Sequence, residues 1–133
     1  MQFDKLGWGC NNFGDETNFN GTRKFKAKNK ESITGYSIDD FINIFNIDVP
    51  NHIKIDVDGI EHKIIQGAIN TLKHKNVKSI YIELTDTYTK HNEIIITLNN
   101  LGFRILNKFS IQAHHDSVWK DTYNYIFIKS DKL

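Results

Sequence analysis

Two short apolar runs flank an amphipathic stretch between residues 52 and 84, and this pattern constrains the fold more than any other feature of the sequence. The runs HIKIDV (52–57) and VKSIYIEL (77–84) have the length and β-branched content of buried strands. Between them, apolar residues recur at helical spacing over about four turns: Ile60, Ile64, Ile65, Ala68, Ile69 and Leu72. A strand, a helix and a strand within about 32 residues is the size of one crossover unit. The sequence therefore predicts two parallel strands joined by a helix.

A further helix is predicted before this unit. Apolar residues from Ile38 onward recur at helical spacing, and Ser37 with Asp40 three residues later forms a start typical of a capping box. Pro50 cannot continue a helix, so we expect this helix to end near Asn46.

The C-terminal third predicts one helix and two strands. A helix is expected over residues 88–100 with Gly102 as its stop, followed by strands at 103–109 and 122–129. The last two strands are joined by a loop without a helix, which favours antiparallel pairing. We therefore predict an α/β fold with a mostly parallel sheet and an antiparallel C-terminal strand pair.

Composition excludes several classes of function. The chain has 133 residues, enough for one domain, and its 17 basic and 16 acidic residues give a net charge of +1. Without a large positive field, we expect no nucleic-acid partner. No apolar run approaches 18 residues and the start lacks a secretory signal, so we expect no membrane span and a cytoplasmic location. Residues 1–36 form an irregular segment with one strand-like run, Thr22–Ala27, while 37–133 form the α/β core.

No metal site is expected. Cys10 is the only cysteine, and the adjacent side chains of His114, His115 and Asp116 diverge in a polar loop without a third ligand site.

Acidic residues collect where the first predicted strand meets the next helix. Asp56, Asp58 and Glu61 occupy this junction, and ligands of open α/β sheets bind at the carboxyl ends of strands. Two of them also suit a structural role, since Asp58 at the N-cap and Glu61 at the third helical position would form a capping box. Asp56 is the better candidate for a functional residue, because a carboxylate in an apolar strand needs solvent, a hydrogen-bond donor or a ligand. A calcium loop is disfavoured by the spacing.

The segment IKIDVDGIEHKIIQGA (53–68) matches the signature iKiDvEGaE...l.Ga, with Asp58 in place of the usual glutamate. Four other blocks stand in the matching order: GYSIDDF (35–41), SIYIEL (79–84), LGFRIL (101–106) and NYIFIK (124–129). Over residues 35–129, the chain resembles the C-terminal half of the FkbM family of S-adenosylmethionine-dependent methyltransferases.

This resemblance implies a fold and a function. The fold would be part of a Rossmann-like, seven-stranded methyltransferase sheet whose N-terminal strands are missing, so that residues 1–133 form one truncated domain. The function implied is methyl transfer from S-adenosylmethionine to a hydroxyl of a small molecule or sugar. The carboxylates expected to line the cleft are Asp56, Asp58, Glu61 and Glu83.

The resemblance also implies a Gly-rich turn for the cofactor, and the sequence departs from it there. The nearest segment, GWGCNNFG (7–14), lacks the G-x-G-x-x-G spacing and a preceding strand. Cofactor-binding residues therefore stay unassigned, and we expect weak affinity for S-adenosylmethionine. The alternative is a non-catalytic module that folds and self-associates without cofactor. The strand at 53–57 would present an open edge, covered by Thr22–Ala27 or by a second copy in a homo-oligomer.

Overall fold

The computed structural model describes residues 32–57, 59–110 and 121–130. Several features singled out in the sequence lie outside these ranges: Trp8, Cys10, the segment 7–14, the run Thr22–Ala27, Asp58, the His114–Asp116 triplet and Trp119. Within the described ranges no helix is long and apolar enough to cross a membrane.

Four helices and four strands follow one another along the described chain. The helices are α1 (Ile38–Phe45), α2 (Glu61–Gln66), α3 (Ile69–Lys73) and α4 (Thr89–Asn100). The strands are β1 (His52–Ile55), β2 (Ser79–Thr85), β3 (Phe103–Ser110) and β4 (Thr122–Lys129). Each strand predicted within the described ranges is present. The α/β class is therefore confirmed.

The four strands form one open sheet in the order β1-β2-β4-β3. β1 and β2 pair in parallel, whereas β4 is antiparallel to both β2 and β3. The predicted antiparallel C-terminal pair is confirmed. β1, β2 and β3 run in the same direction, whereas β4 inserts between β2 and β3 and makes two of the three pairings antiparallel. The described residues form four strands, so the seven-stranded sheet stays a prediction.

The core lies on one face of this sheet. Ile80, Ile82 and Leu84 of β2 are fully buried, while the alternating Tyr81 and Glu83 are half-buried on the other face. The helices contribute apolar side chains to the same buried cluster: Ile65, Leu72, Ile94 and Leu98. We call the second face, which carries Lys54, Tyr81 and Glu83, the outer face of the sheet.

Helix α1 begins as predicted. The Ser37 side chain accepts a hydrogen bond from the Asp40 backbone N–H at 3.0 Å, and its hydroxyl donates to the Asp40 carboxylate at 2.7 Å. The helix ends at Asn46, which adopts the left-handed conformation that closes many helices.

The single helix expected over residues 60–72 is wrong: the chain breaks at Gly67 and Ala68 into α2 and α3. The break is stabilised by α1. The Asp39 backbone N–H donates to the Gly67 carbonyl at 2.9 Å. The Asp39 carboxylate accepts from the Asn70 N–H at 2.9 Å and from the Thr71 N–H and hydroxyl at 2.7 and 2.6 Å. A side chain from another helix thus caps α3, which local periodicity cannot show.

We expect Gly67→Ala to destabilise the domain by about 1–3 kcal/mol, the usual range for overpacking. A β-carbon at position 67 would lie 2.8 Å from the Ser37 Cβ, so the start of α1 and the end of α2 would have to separate. Gly35→Ala is the matched control, because a β-carbon there meets no atom within 4 Å. Urea unfolding of both variants measures the difference. Equal midpoints for both variants would contradict close packing at Gly67.

Candidate functional site

The carboxyl ends of β1 and β2 bring two of the predicted site residues together. In the parallel register, Lys54 lies beside Tyr81 and Ile55 beside Ile82. Continued one residue past these pairs, the register would set Asp56, which follows β1, beside Glu83 of β2. Side chains two residues apart on a strand share a face, so both carboxylates belong to the outer face of the sheet.

Asp56 reaches solvent, as its position in an apolar strand demands. Its side chain is 57% exposed, and its carboxylate forms an ion pair with the Lys54 ammonium at 2.7 Å. The hydrogen bond and charge of Asp56 raise the pKa of Lys54, and Tyr81 and Glu83 add to the effect. Lys54 therefore stays charged beside the two carboxylates.

Glu61 lies apart from this pair and is buried, with 2% of its surface exposed. Its Oε1 atom accepts the Gly59 backbone N–H at 3.1 Å, and its Oε2 atom lies 3.0 Å from Nε2 of His91. The capping box predicted for Asp58 and Glu61 is wrong in position, because Ile60 is the N-cap and Glu61 is the first helical residue. Glu61 instead joins the turn before α2 to helix α4.

His91 completes this buried contact, and its hydrogen bonds show which ring nitrogen carries the proton. The Thr85 backbone N–H donates to Nδ1 of His91 at 2.7 Å, so Nδ1 is an acceptor and the ring proton sits on Nε2, facing Glu61. One imidazole thus connects the end of β2, the start of α2 and helix α4. We call Glu61, Thr85 and His91 the buried clamp.

Sequence reasoning missed His91, although a signal was present. His91, Ile94 and Leu98 are the buried residues of α4 and follow the spacing of an apolar helical stripe. A histidine in such a stripe needs a buried hydrogen-bond partner. A glutamate predicted to open the preceding helix is one candidate for that partner.

A second polar network adjoins the end of β2. The Asp86 carboxylate accepts from the Tyr125 hydroxyl and from the Lys108 ammonium, both at 2.5 Å. Burial raises the pKa of Tyr125, and the hydrogen bond to Asp86 raises it further. Burial lowers the pKa of Lys108, but hydrogen bonds with Asp86 and Tyr125 outweigh it and give a net increase. Both donors therefore keep their protons at neutral pH and hold this carboxylate in place.

Within residues 32–57, 59–110 and 121–130, no group of three or more His, Cys, Asp or Glu side chains could hold a metal ion. Comparison with protein families gives a direct assignment. The family model described as methyltransferase FkbM domain matches residues 7–105, about three quarters of the chain. The chain belongs to the FkbM methyltransferase family.

Comparisons with curated proteins and with solved structures found no significant match. The FkbM match includes Asp56, Glu61, Glu83 and His91, so both the outer-face carboxylates and the buried clamp lie in the family domain. Lys108 and Tyr125 lie beyond its last matched residue. The resemblance read from the DVDGIE element is thus confirmed at the level of the family.

Proposed function

We propose that this FkbM domain transfers a methyl group from S-adenosylmethionine to a hydroxyl of a small molecule or sugar. The observation that carries the proposal is the position of two carboxylates on adjacent parallel strands, with Asp56 directly after β1 and Glu83 near the end of β2. In open α/β sheets this edge is where ligands bind. Family membership supplies the reaction class, and the carboxylates supply acceptors for hydroxyl donors.

The described residues fit such a cofactor in part. Asp56 and Glu83 place negative charge where a cationic sulfonium would be favoured, and Asp56 is open to solvent. A Gly-rich turn of the G-x-G-x-x-G type is not found in the described ranges. When bound, S-adenosylmethionine supplies an activated methyl group that already carries its leaving group.

The chain's own residues then have distinct roles. Asp56 and Glu83 accept hydrogen bonds from the acceptor hydroxyl and orient it, and one of them takes up its proton. Lys54 holds the Asp56 carboxylate and limits its rotation. The buried clamp positions the turn at Gly59, which adopts a positive φ of 98° immediately after the acidic segment. Glu61 is therefore a positioning residue in this mechanism. Asp58, predicted to line the same cleft, lies outside the described residues.

We expect S-adenosylmethionine and S-adenosylhomocysteine to bind this chain weakly, with no dissociation constant in the low micromolar range. The test is an NMR titration to millimolar ligand. Amide shifts should move at residues 56–61 and 83–86, and Asp56→Asn or Glu83→Gln should remove the response.

Glu93→Gln is the matched control, because Glu93 is an exposed carboxylate on α4. It should leave the titration unchanged. Shifts confined to other regions would place the ligand elsewhere and overturn the proposed site. The absence of any shift at millimolar ligand would favour the alternative, a module that folds without binding cofactor.

A further inference from the structure

A charge-balanced pair of side chains lies at the same edge of the sheet as the proposed site. Asp86 follows the last residue of β2, and Lys108 lies two residues before the end of β3. Because β1, β2 and β3 run in the same direction, their carboxyl ends share this edge. The Asp86 carboxylate and the Lys108 ammonium are 2.5 Å apart and join β2 to β3 across the intervening strand β4. The edge that carries Asp56 and Glu83 thus continues into this pair.

The start of β4 holds the pair in one arrangement. The Tyr125 hydroxyl donates to Oδ1 of Asp86, and the Lys108 ammonium donates to Oδ2. Tyr125 is itself buried. The Lys108 ammonium lies 4.0 Å from the ring centroid of Tyr123 and 5.1 Å from that of Tyr125, within the range of cation–π attraction. Side chains that are already fixed lose little entropy when a ligand binds, so the pair is preorganised.

Both charged groups keep hydrogen-bonding capacity for a ligand. A carboxylate offers about four lone-pair positions, and an ammonium offers three N–H donors. Among the described residues, Tyr125 and Lys108 use two positions of Asp86, and Lys108 keeps at least one N–H beyond its bonds with Asp86 and Tyr125. The side chains are 37% exposed for Asp86 and 36% exposed for Lys108. An acceptor and a donor therefore lie side by side at the sheet edge.

The charges of the pair select the kind of ligand. An anionic ligand would be repelled by the Asp86 carboxylate, and a cationic ligand by the Lys108 ammonium. A hydroxyl group both donates and accepts, so neighbouring hydroxyls can donate to Asp86 while accepting from Lys108. The pair thus favours an uncharged ligand with several neighbouring hydroxyls, which is the chemistry of a neutral sugar.

We propose that Asp86 and Lys108 bind the non-reacting hydroxyls of an uncharged sugar acceptor, whose reacting hydroxyl lies at Asp56 and Glu83. This inference rests on the proposed function for the reacting hydroxyl, and it narrows the acceptor from small molecules in general to neutral sugars. Binding energy from the remote hydroxyls positions the reacting one. Tyr125 is then a positioning residue, because it holds Asp86 from the buried side.

The experiment is an NMR titration of the full chain with three neutral sugars: methyl glucoside, methyl mannoside and methyl galactoside. At least one of them should move the amide resonances of Asp86, Lys108 and Tyr123 in a saturable way. The 6-amino and 6-carboxylate forms of the same sugar carry opposite charges on a matched ring. Each should bind roughly tenfold or more weakly, since each meets a like charge in the pair.

Substitutions test each half of the pair. Lys108→Met removes the ammonium and should abolish the response, while Asp86→Asn removes one acceptor oxygen and should weaken sugar affinity by roughly tenfold. Tyr125→Phe should weaken it by less, because Asp86 keeps its bond from Lys108. Glu93→Gln and Lys75→Met change an exposed carboxylate and an exposed lysine elsewhere and should leave the titration unchanged. Circular dichroism of each variant separates loss of the site from loss of the fold.

The absence of a saturable response at these amides to all three neutral sugars would overturn the inference. A response that survives both Asp86→Asn and Lys108→Met would also overturn it, as would equal affinity for the charged forms. The titration needs no S-adenosylmethionine, so its outcome is separate from the test of methyl transfer. Sugar shifts at Asp86 without any S-adenosylmethionine response at Asp56 would support the sugar site and count against methyl transfer. The opposite result would retain methyl transfer and refute the neutral-sugar acceptor.

Discussion

His91→Ala should be among the most destabilising single substitutions in this domain, with a loss of about 3 kcal/mol in the free energy of unfolding. The change leaves the Glu61 carboxylate buried without its imidazole partner and leaves the Thr85 N–H without an acceptor. Buried polar groups that lose a partner carry their full desolvation cost. Guanidinium unfolding followed by circular dichroism measures the loss.

A milder substitution at the same contact, Glu61→Gln, should lower the free energy of unfolding by less. Glu61→Gln offers one acceptor oxygen to two donors, the Gly59 N–H and the His91 ring N–H, so we expect a loss of about 1–2 kcal/mol. His74→Ala is the matched control, since His74 is exposed and its ring accepts only a local bond from Asn76. Its effect should stay within about 0.5 kcal/mol. A His91→Ala loss no larger than that of His74→Ala would contradict the clamp.

Asp39→Ala should lower the free energy of unfolding by about 2 kcal/mol, because three donors of α3 lose their acceptor at once. Partial burial acts to raise the pKa of Asp39, but hydrogen bonds from Thr71 and Asn70 outweigh it and give a net decrease from the ordinary value of 3.8. A lowered folded-state pKa means that this stabilisation is complete above about pH 4 and is lost as the pH falls through the lowered value.

The pH dependence supplies the control for this prediction. The stability difference between the wild type and Asp39→Asn should be constant near neutral pH and should shrink below about pH 4, because the asparagine cannot titrate. Asp40→Asn changes the neighbouring exposed carboxylate on the same helix and should leave Asn70 and Thr71 capped. A difference between wild type and Asp39→Asn that stays the same down to pH 2 would argue against a charged cap.

The sequence predicted the elements of the fold more reliably than the way in which they meet. Apolar periodicity located β1, β2 and α4, since burial of one face imposes that period on the residues themselves. Gly102, with φ of 85°, ends α4 as predicted because a left-handed residue at a helix end favours glycine. These signals are local, so the sequence carries them directly.

The features that escaped prediction all depend on contacts between distant residues. The break at Gly67 is made by Asp39, which lies 28 positions earlier in the chain, and the partner of Glu61 is 30 positions later. The position of β4 between β2 and β3 likewise depends on pairing across the whole C-terminal half. Within the site, the sequence located Asp56 after β1 and Glu83 in β2, whereas the burial of Glu61 depends on its distant partner His91.

The strand order also affects when the chain can fold during its synthesis. β2 pairs on one side with β1, which is made before it, and on the other side with β4, which is made only after α4 and β3. Until Thr122–Lys129 leaves the exit tunnel, β2 lacks its second neighbour and Phe127 cannot complete the core. Because β2 and β4 are distant in sequence, their pairing also closes a long loop at an entropic cost. The nascent domain should therefore stay exposed to chaperones and proteases until β4 has emerged.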